Sequence, residues 1–470
     1  MSQLSVFARA MPAILSGLAV LMGGCATPVL QSEVDVPGRF AAAPASEAAP
    51  EVAWWERFGD PVLSDLIHRA ARENRDVKIA AERVRAARAG ETIRRSSLLP
   101  NLGAAAFGLD HDSGGDLELE SGSAALSVSW EVDVAGGLRA GVSAATYEQI
   151  ATEDGARAVQ LLVLTDVATN YFTLVGALRQ LETVRAISAA QDETLRLVTA
   201  RQRVGLASTF DVERARTAAS SARAAIPPLE TLVAVSRHRI AVLIGDQASN
   251  ATAAVAPWSG AAVVPDAQPG QPATLLERRP DLLASRAQLE AANWRRREAA
   301  AAWFPRLFVN ALFGRQDVET NAIDFGAARF TNASSLLTLP IFNWGRTRAI
   351  NEVAESGQRE ALLRYEDAIV RALEDVENAL VALRDERLRA EALRSAADSA
   401  DAALARAQSL YDRGQIDLLP LLDAQRTRLT VRIGANDSST QLLLATVQLF
   451  KALGGGWEAF EPVTPKGEPS

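Results

Sequence analysis

The chain has 470 residues, a formal net charge of −8, one cysteine and three histidines. The acidic balance gives no electrostatic support for nucleic-acid binding. One cysteine excludes an intramolecular disulfide and a multi-cysteine metal site, and the histidines at positions 68, 111 and 238 are too far apart in sequence to form a ligand-spaced pair. We therefore expect neither a metal nor another cofactor.

Residues 1–24 have the pattern of a secretory signal peptide. Arg9 provides the positive charge, and the apolar run at 10–22 is too short for a membrane-spanning helix of ~20 residues. Two glycines stand directly before Cys25, as in the lipobox of bacterial lipoproteins. We predict that Cys25 is lipidated and becomes the first residue of the mature chain. The alternative is an incidental or buried cysteine.

The segment that follows, residues 25–53, is rich in alanine and proline and shows no periodicity. This composition predicts a lipidated, extended tether. Ala26 stands where lipoproteins retained at the inner membrane tend to have an aspartate, which favours the outer membrane.

A first repeat is predicted at residues 54–250. Its elements, in chain order, are helices within 62–97, strands at 101–111 and 124–134, and a long helical hairpin at 138–245. We expect Asp76 to cap the second of the two helices. The prolines at 227 and 228 predict a kink or break in the returning helix of the hairpin.

The strand at 124–134 shows the clearest alternation of apolar and polar residues. Its apolar face carries Leu126, Val128, Trp130, Val132 and Val134, and its polar face carries Ser127, Ser129, Glu131 and Asp133. A strand that crosses a membrane needs ~9–11 residues, so this run is long enough. The alternative is a soluble sheet that faces a helical core.

The long hairpins are predicted from the absence of proline and from the spacing of apolar residues. Residues 101–226 contain no proline, helix-forming residues dominate, and apolar residues recur at alternating steps of four and three. This spacing predicts supercoiled helices, the first of them roughly 100 Å long. The hairpin turns at Gly205 and Gly414 lie 209 residues apart, and Gly245 and Gly454 have the same spacing. The chain is therefore expected to contain an internal repeat.

The second repeat is predicted at residues 273–456. Its elements are a helix at 280–304, strands at 306–314 and 332–340, and a helical hairpin at 346–454. A connector rich in proline and alanine, residues 251–272, precedes it, and residues 457–470 are expected to form a mobile tail.

Four strands cannot close a barrel. An open sheet in lipid leaves edge N–H and C=O groups unsatisfied, at several kcal/mol each, and membrane barrels of this kind begin at about eight strands. If the strands span a membrane, several copies of the chain must therefore contribute to one barrel.

Five motifs resemble those of one known family when they are taken together. They are Trp54-Trp55 with Phe58-Gly59-Asp60-Pro61; Arg278-Arg279-Pro280-Asp281-Leu282; Phe304-Pro305; Pro340-Ile341-Phe342-Asn343-Trp344-Gly345-Arg346; and Leu422-Asp423-Ala424-Gln425-Arg426. Through them the chain resembles the bacterial outer-membrane factors (TolC-like), specifically the lipoprotein branch that serves tripartite efflux pumps (the NodT type).

The resemblance implies an α+β membrane protein that assembles as a homotrimer. Each chain would contribute four strands to a twelve-stranded β-barrel in the outer membrane, continuous with a twelve-helix periplasmic α-barrel and surrounded by a mixed equatorial belt. The implied partners are outer-membrane lipid, a periplasmic adaptor (membrane fusion protein) and an inner-membrane transporter of the RND type.

The implied function is a passive exit duct for small molecules such as drugs and toxic compounds. The same architecture also fits the outer-membrane component of a type I protein-secretion system, and a soluble periplasmic coiled-coil adaptor is a third reading. An enzyme is not expected, because no nucleophile–base pair, metal cluster or phosphate-binding loop emerges from the sequence.

The resemblance places both hairpin turns at the periplasmic tip, where the duct closes. The candidate aperture residues lie around the second turn and are Tyr411, Asp412, Arg413, Asp417 and Asp423. Three copies of an inward carboxylate would form a negative ring, which favours cations at a constriction. The alternative is a set of solvated turn and cap residues.

Contacts with the adaptor are expected at the tip turns, at Gly205, Ser208 and Gly414. Each glycine permits the left-handed conformation that a tight turn between helices needs. Ser208 is expected to cap the returning helix of the first hairpin, and Asp417 that of the second.

Overall fold

The structure is a computed structural model of the whole chain. It describes residues 27–42, 51–112, 118–251, 263–266, 268–320 and 326–460. The expected signal peptide, Cys25 and most of the C-terminal tail therefore lie outside the described residues, as does most of the connector at 251–272.

The first repeat contains five helices and two strands among the described residues. They are α1 (Pro61–Glu73), α2 (Arg75–Ser96), β1 (Asn101–Asp112), β2 (Glu118–Val132), α3 (Gly137–Arg203), α4 (Thr209–Ala224) and α5 (Ile226–Leu243). The second repeat contains α6 (Leu275–Arg278), α7 (Pro280–Ala301), β3 (Arg306–Thr320), β4 (Ala328–Thr338), α8 (Arg346–Asp412) and α9 (Leu418–Ala452).

The internal repeat is confirmed by the long helices. Both α3 and α8 have 67 residues, and both their first and last residues are 209 positions apart, since 346 − 137 = 209 and 412 − 203 = 209. At about 1.5 Å per residue each helix is roughly 100 Å long.

The four strands form one antiparallel sheet in the order β1-β2-β3-β4. Three of them extend further toward their hairpin turns than the sequence indicated: β2 begins at Glu118, β3 continues to Thr320 and β4 begins at Ala328. The alternation of side chains fades there among serine, glycine and charged residues. Backbone hydrogen bonding between strands does not require that alternation, so the ladders continue without it.

The chain divides into two structural units. One comprises Met1–Val34, Arg83–Asp154 and Ala284–Ala368 and contains the sheet; the other comprises Asp35–Glu82, Gly155–Leu283 and Ile369–Ser470.

The second unit has an aromatic core. Trp54 and Trp55 are fully buried, and the Trp54 ring stacks on Phe450 with 5.3 Å between the ring centroids. Asp60 caps α1 by accepting hydrogen bonds from the first turn, and the Tyr171 hydroxyl donates to the other oxygen of its carboxylate at 2.6 Å. The Trp54-Trp55 and Asp60-Pro61 motifs therefore hold α1 in contact with α3.

The apolar middle of α3 belongs to this core. One 18-residue stretch of α3 is apolar enough to cross a membrane, but 67% of it is buried inside the protein. Leu164, Val167 and Leu174 in this part of the helix pack against α1 and α9 in the core cluster. We infer that this stretch is a core segment rather than a membrane span.

Two local expectations are corrected or refined by the structure. Asn74, and not Asp76, caps α2, because the Asn74 side chain accepts from the backbone N–H groups of residues 76 and 77 at 2.8 and 3.2 Å. The returning helix of the first hairpin breaks at Ala225, and Pro227 lies in the first turn of α5, where a missing N–H costs nothing. The returning helix of the second repeat, α9, runs unbroken for 35 residues.

Candidate channel wall and helical tip

The sheet has one apolar face and one mainly polar face. Residues directly opposite each other in an antiparallel sheet share a face, and successive residues alternate between faces. Leu126 lies opposite Ala104 and Phe313, whereas its neighbour Ser127 lies opposite Gly103 and Leu312. The alternation predicted for residues 124–134 is present in the strand pairing as far as Val132, where β2 ends two residues earlier than expected.

The apolar face is uncovered in a single chain. Leu102 is 79% exposed, Leu126 60% and Phe313 46%. A contiguous apolar surface of this kind needs lipid or protein to cover it.

Exposed aromatic residues mark the end of the sheet where β4 leads into α8. Phe342 is 74% and Trp344 91% exposed, and their ring centroids are 5.0 Å apart. Aromatic rings with this placement are typical of the girdles at the border of a membrane barrel.

The other face carries the polar groups. Serines alternate along β2, and at the helix end Arg306 forms a bidentate ion pair with Glu131, with contacts of 2.6 and 2.7 Å. The Arg306 guanidinium also lies over the Phe308 ring at 5.2 Å. Such a face suits the water-filled interior of a barrel.

The sheet also has two free edges. Among the described residues β1 pairs only with β2, and β4 pairs only with β3. Free edges in lipid are costly. The sheet is therefore incomplete in one chain.

The two hairpin turns at the tip share one geometry. Gly205 and Gly414 have φ values of 77° and 71°, and in each turn backbone N–H groups close onto carbonyls of the preceding helix. Ser208 caps α4 as expected, in a capping box with Asp211. The Ser208 hydroxyl donates to the Asp211 carboxylate and holds the pKa of Asp211 below its usual value.

Asp417 is the counterpart of Ser208, because 417 − 208 = 209. It occupies the N-cap position of α9, but its side chain accepts no capping hydrogen bond. The expectation that Asp417 caps this helix is therefore wrong. Pro420 at the third helical position has no N–H to donate, which removes one of the two donors that a capping side chain can use.

The candidate aperture residues differ in their surroundings. Tyr411 is 5% exposed, packs in an apolar cluster between the hairpin helices, and lies under the Arg201 guanidinium at 4.3 Å. Asp412 accepts from Gln408 at 2.9 Å, and Asp423 pairs with Arg426 at 2.7 Å.

Arg413 and Asp417 are exposed and have no hydrogen-bond or ion-pair partner among the described side chains. Tyr411 is thus buried, and Asp412 and Asp423 already have partners within the chain. Arg413 and Asp417 are the two candidate groups that are free to contact another molecule.

Two equivalent ion pairs near the tip were missed in the sequence. Asp192 pairs with Arg223 at 2.6 Å across the first hairpin, and Asp401 pairs with Arg432 across the second. These are equivalent positions, since 401 − 192 and 432 − 223 both equal 209. The repeat spacing, applied to opposite charges on facing helices, could have found both.

The second of these ion pairs has an additional partner, Arg428, at 2.6 Å from Asp401. The hydrogen bond from Arg432 lowers the pKa of Asp401 from its ordinary value. A lowered folded-state pKa stabilises the hairpin above the unfolded pKa, and that contribution is lost as pH falls through the folded pKa. We therefore expect acid to weaken the ion pairs that connect α8 and α9 near the tip.

The comparisons with known proteins agree with this geometry. A family model described as "Outer membrane efflux protein" matches residues 66–246 and 272–455, which are the two repeats. The pyoverdine export outer membrane protein OpmQ of Pseudomonas aeruginosa is 33% identical over 95% of this chain and 97% of its own length.

The chain belongs to the outer membrane efflux protein family. The probable outer membrane lipoprotein SilC of Salmonella typhimurium is 29% identical over 88% of this chain and 90% of its own length. Among solved structures, the outer-membrane channel OprN superposes with a TM-score of 0.84 at 26% identity, over 93% of this chain and all of OprN.

The fold that the resemblance implied is confirmed. The structural neighbours are trimeric channels with a β-barrel and an α-barrel, consistent with four strands from each chain. The chain is an efflux component of the outer membrane that extends into the periplasm.

Proposed function

We propose that three copies of this chain form a passive exit duct for small molecules, such as drugs and toxic compounds. An inner-membrane transporter of the RND type and a periplasmic adaptor deliver the cargo. The observation that carries the proposal is the sheet: an exposed apolar face, a polar face behind it, and two unpaired edges. A barrel closed by identical neighbours satisfies all three features.

The cargo is proposed only as a class. OpmQ is named for pyoverdine export, but the polar face of this sheet carries serine and asparagine side chains interspersed with exposed apolar ones such as Phe107 and Leu336, spread along the strands. A wall of this kind contacts the transported molecules weakly. The inner-membrane transporter therefore selects the cargo.

The first test compares adjacent residues on opposite faces of β2. Leu126→Arg places a charge on the lipid face, where it costs about 2–4 kcal/mol near the middle of the bilayer. We expect far less folded trimer in outer-membrane fractions. Ser127→Arg faces the bore, so the trimer should form and the single-channel current in planar bilayers should shift toward anions. Equal trimer yields for the two variants would contradict the assignment of faces.

The second proposal concerns the aperture. Asp417 is the candidate carboxylate without a partner among the described residues, and three copies would give a negative ring at the tip.

We expect Asp417→Asn to reduce the cation preference of the channel measured by reversal potential. Asp423→Asn is the matched control, because Asp423 is already neutralised locally by Arg426. An unchanged reversal potential in Asp417→Asn, or an equal shift in both variants, would exclude Asp417 as the constricting residue.

The adaptor is proposed to contact the tip turns at Gly205, Ser208 and Gly414. The space around both glycines is open, so a side chain there meets no atom within 4 Å and acts only through the backbone. The left-handed conformation costs an L-residue roughly 1–2 kcal/mol.

The double variant Gly205→Val/Gly414→Val should distort both turns and weaken adaptor binding in pull-down or surface-binding measurements, while the trimer stays intact on gels. Gly357→Val is the control, since Gly357 lies in α8 with equally open surroundings and no positive φ. Adaptor binding that survives in the double variant would remove the turns from the interface.

Cys25 is proposed as the lipidated N-terminus. Three residues after it the chain already contacts its own unit: the Pro28 carbonyl accepts from Gln358 at 2.9 Å, and the Leu30 backbone exchanges two hydrogen bonds of 3.2 Å with Asn293. The tether is therefore extended, and its first described part is fixed.

Mass spectrometry of the mature N-terminal peptide should show an acylated Cys25. Cys25→Ser should abolish acylation and leave the trimer in the membrane, because the strands alone hold it there. An unmodified cysteine in the mature wild-type protein would reject the proposal.

A further inference from the structure

Two arginines lie side by side on the apolar face of the sheet. Arg315 on β3 is directly opposite Arg329 on β4, in the same row as Ala124 and on the same face as Phe313. Both are exposed, and neither has an ion-pair partner within the part of the chain that the structure describes. Like charges opposite each other are destabilising unless something neutralises them.

Their height on the sheet is informative. The row Val132–Leu307–Leu337 lies at the helix end of the apolar face, and the arginine row lies eight residues further along every strand, since 132 − 124, 315 − 307 and 337 − 329 all equal 8. Eight residues span about 27 Å along a strand, or about 21 Å in height at the usual tilt. The apolar band of outer-membrane barrels is ~25 Å tall, so the arginines lie at its far border.

The border in question is the external one. At one end every strand leads directly from or into a helix (α2, α3, α7 or α8), and at the other end β1 joins β2 and β3 joins β4. The helices belong to the periplasmic part, so the hairpin end of the sheet lies in the external leaflet.

We propose that Arg315 and Arg329 bind the phosphate groups of anionic lipids in the external leaflet, one such site on each chain of the trimer. The inference rests on the placement of the apolar face in lipid that the proposed function includes. Guanidinium groups suit phosphate because their planar N–H donors make paired, charge-assisted hydrogen bonds. Phe313 and Leu126, which lie side by side in the row below the arginines, would then contact the acyl chains.

The neighbouring row on the same face leaves space for an anion beside the arginines. Gly108, Gly122 and Asp317 form the next row outward, and the space where a Cβ would be at either glycine is open. A shallow depression of about 500 Å³ lies here, and its lining includes Gly122, Ala124 and Arg315.

The same face becomes acidic from the glycine row outward, beginning with Asp317, two residues from Arg315 on β3. Asp110, Glu120 and Glu319 form one row across β1, β2 and β3. These carboxylates repel a phosphate that lies further out, so the arginine row is the favourable position on this face.

The test uses the full-length detergent-solubilised trimer and native mass spectrometry. The probes are bisphosphorylated lipid A, phosphatidylcholine as a lipid without net charge, and inorganic phosphate. We expect wild-type trimer to bind up to three equivalents of lipid A, and Arg315→Gln/Arg329→Gln to bind it at least tenfold more weakly. The variant Arg315→Lys/Arg329→Lys should retain an intermediate affinity, since it keeps the charge without the fork geometry.

Arg394→Gln is the matched control, because Arg394 is an exposed arginine of α8, in the other unit, without a partner among the described residues. Equal lipid A binding by the Gln double variant and wild type would overturn the proposal. So would phosphatidylcholine or inorganic phosphate binding as tightly as lipid A, the latter because it would make the site one for free anions.

A second alternative is an ion pair between Arg329 and a carboxylate on β1 of the neighbouring copy. In that case Arg329→Gln would lower the dissociation temperature of lipid-free trimer, and this outcome also overturns the proposal. The channel current of the same wild-type sample reports the proposed function independently of lipid binding.

Discussion

The constraint on which the rest of the structure depends is the unpaired edge of a sheet placed in lipid. Backbone N–H and C=O groups on β1 and β4 have no water to bind in the hydrocarbon, so each needs a partner strand. One chain supplies four strands, too few to close a barrel on itself. Trimerisation is therefore the condition under which this sequence can have a folded membrane part at all. The long helices α3 and α8, which follow β2 and β4, must have the same symmetry.

Internal duplication explains much of the helical part. The offset of 209 residues relates α3 to α8, Gly205 to Gly414, and the ion pair of Asp192 with Arg223 to that of Asp401 with Arg432. The two hairpins nevertheless differ at their returning helices. The first is broken before Pro227 and has a capping box, whereas the second is continuous and its N-cap residue, Asp417, makes no side-chain capping hydrogen bond. Two nearly equivalent hairpins thus present different chemistry at their ends, which lets three chains make a six-hairpin tip that is not six-fold symmetric.

The sequence was informative where a pattern repeats over many turns or residues. Proline-free stretches with a four-and-three spacing indicated the helices within a few residues, and the alternation of Leu126 with Ser127 assigned both faces of the sheet. The sequence was less informative where a single interaction determines the end of an element or the burial of a side chain. Strand ends at Glu118 and Thr320 depend on backbone pairing that leaves no side-chain pattern. The cap at Asn74 instead of Asp76, and the burial of Tyr411 under Arg201, depend on tertiary contacts between segments far apart in the chain.

The charged side chains fall into two classes, those that are paired within the chain and those that are exposed to other molecules. Asp192, Asp401 and Asp423 have arginine partners within the chain, and such pairs hold helices or turns in place. Arg315, Arg329 and Asp417 are exposed without a partner among the described residues. An exposed charge in water is stabilised by hydration, so leaving it unpaired costs little free energy. A charge beside hydrocarbon or inside a narrow ring loses part of that hydration. In the assembled duct these positions are therefore the ones whose free energy depends most on what surrounds the protein, either lipid phosphates outside or permeating ions within.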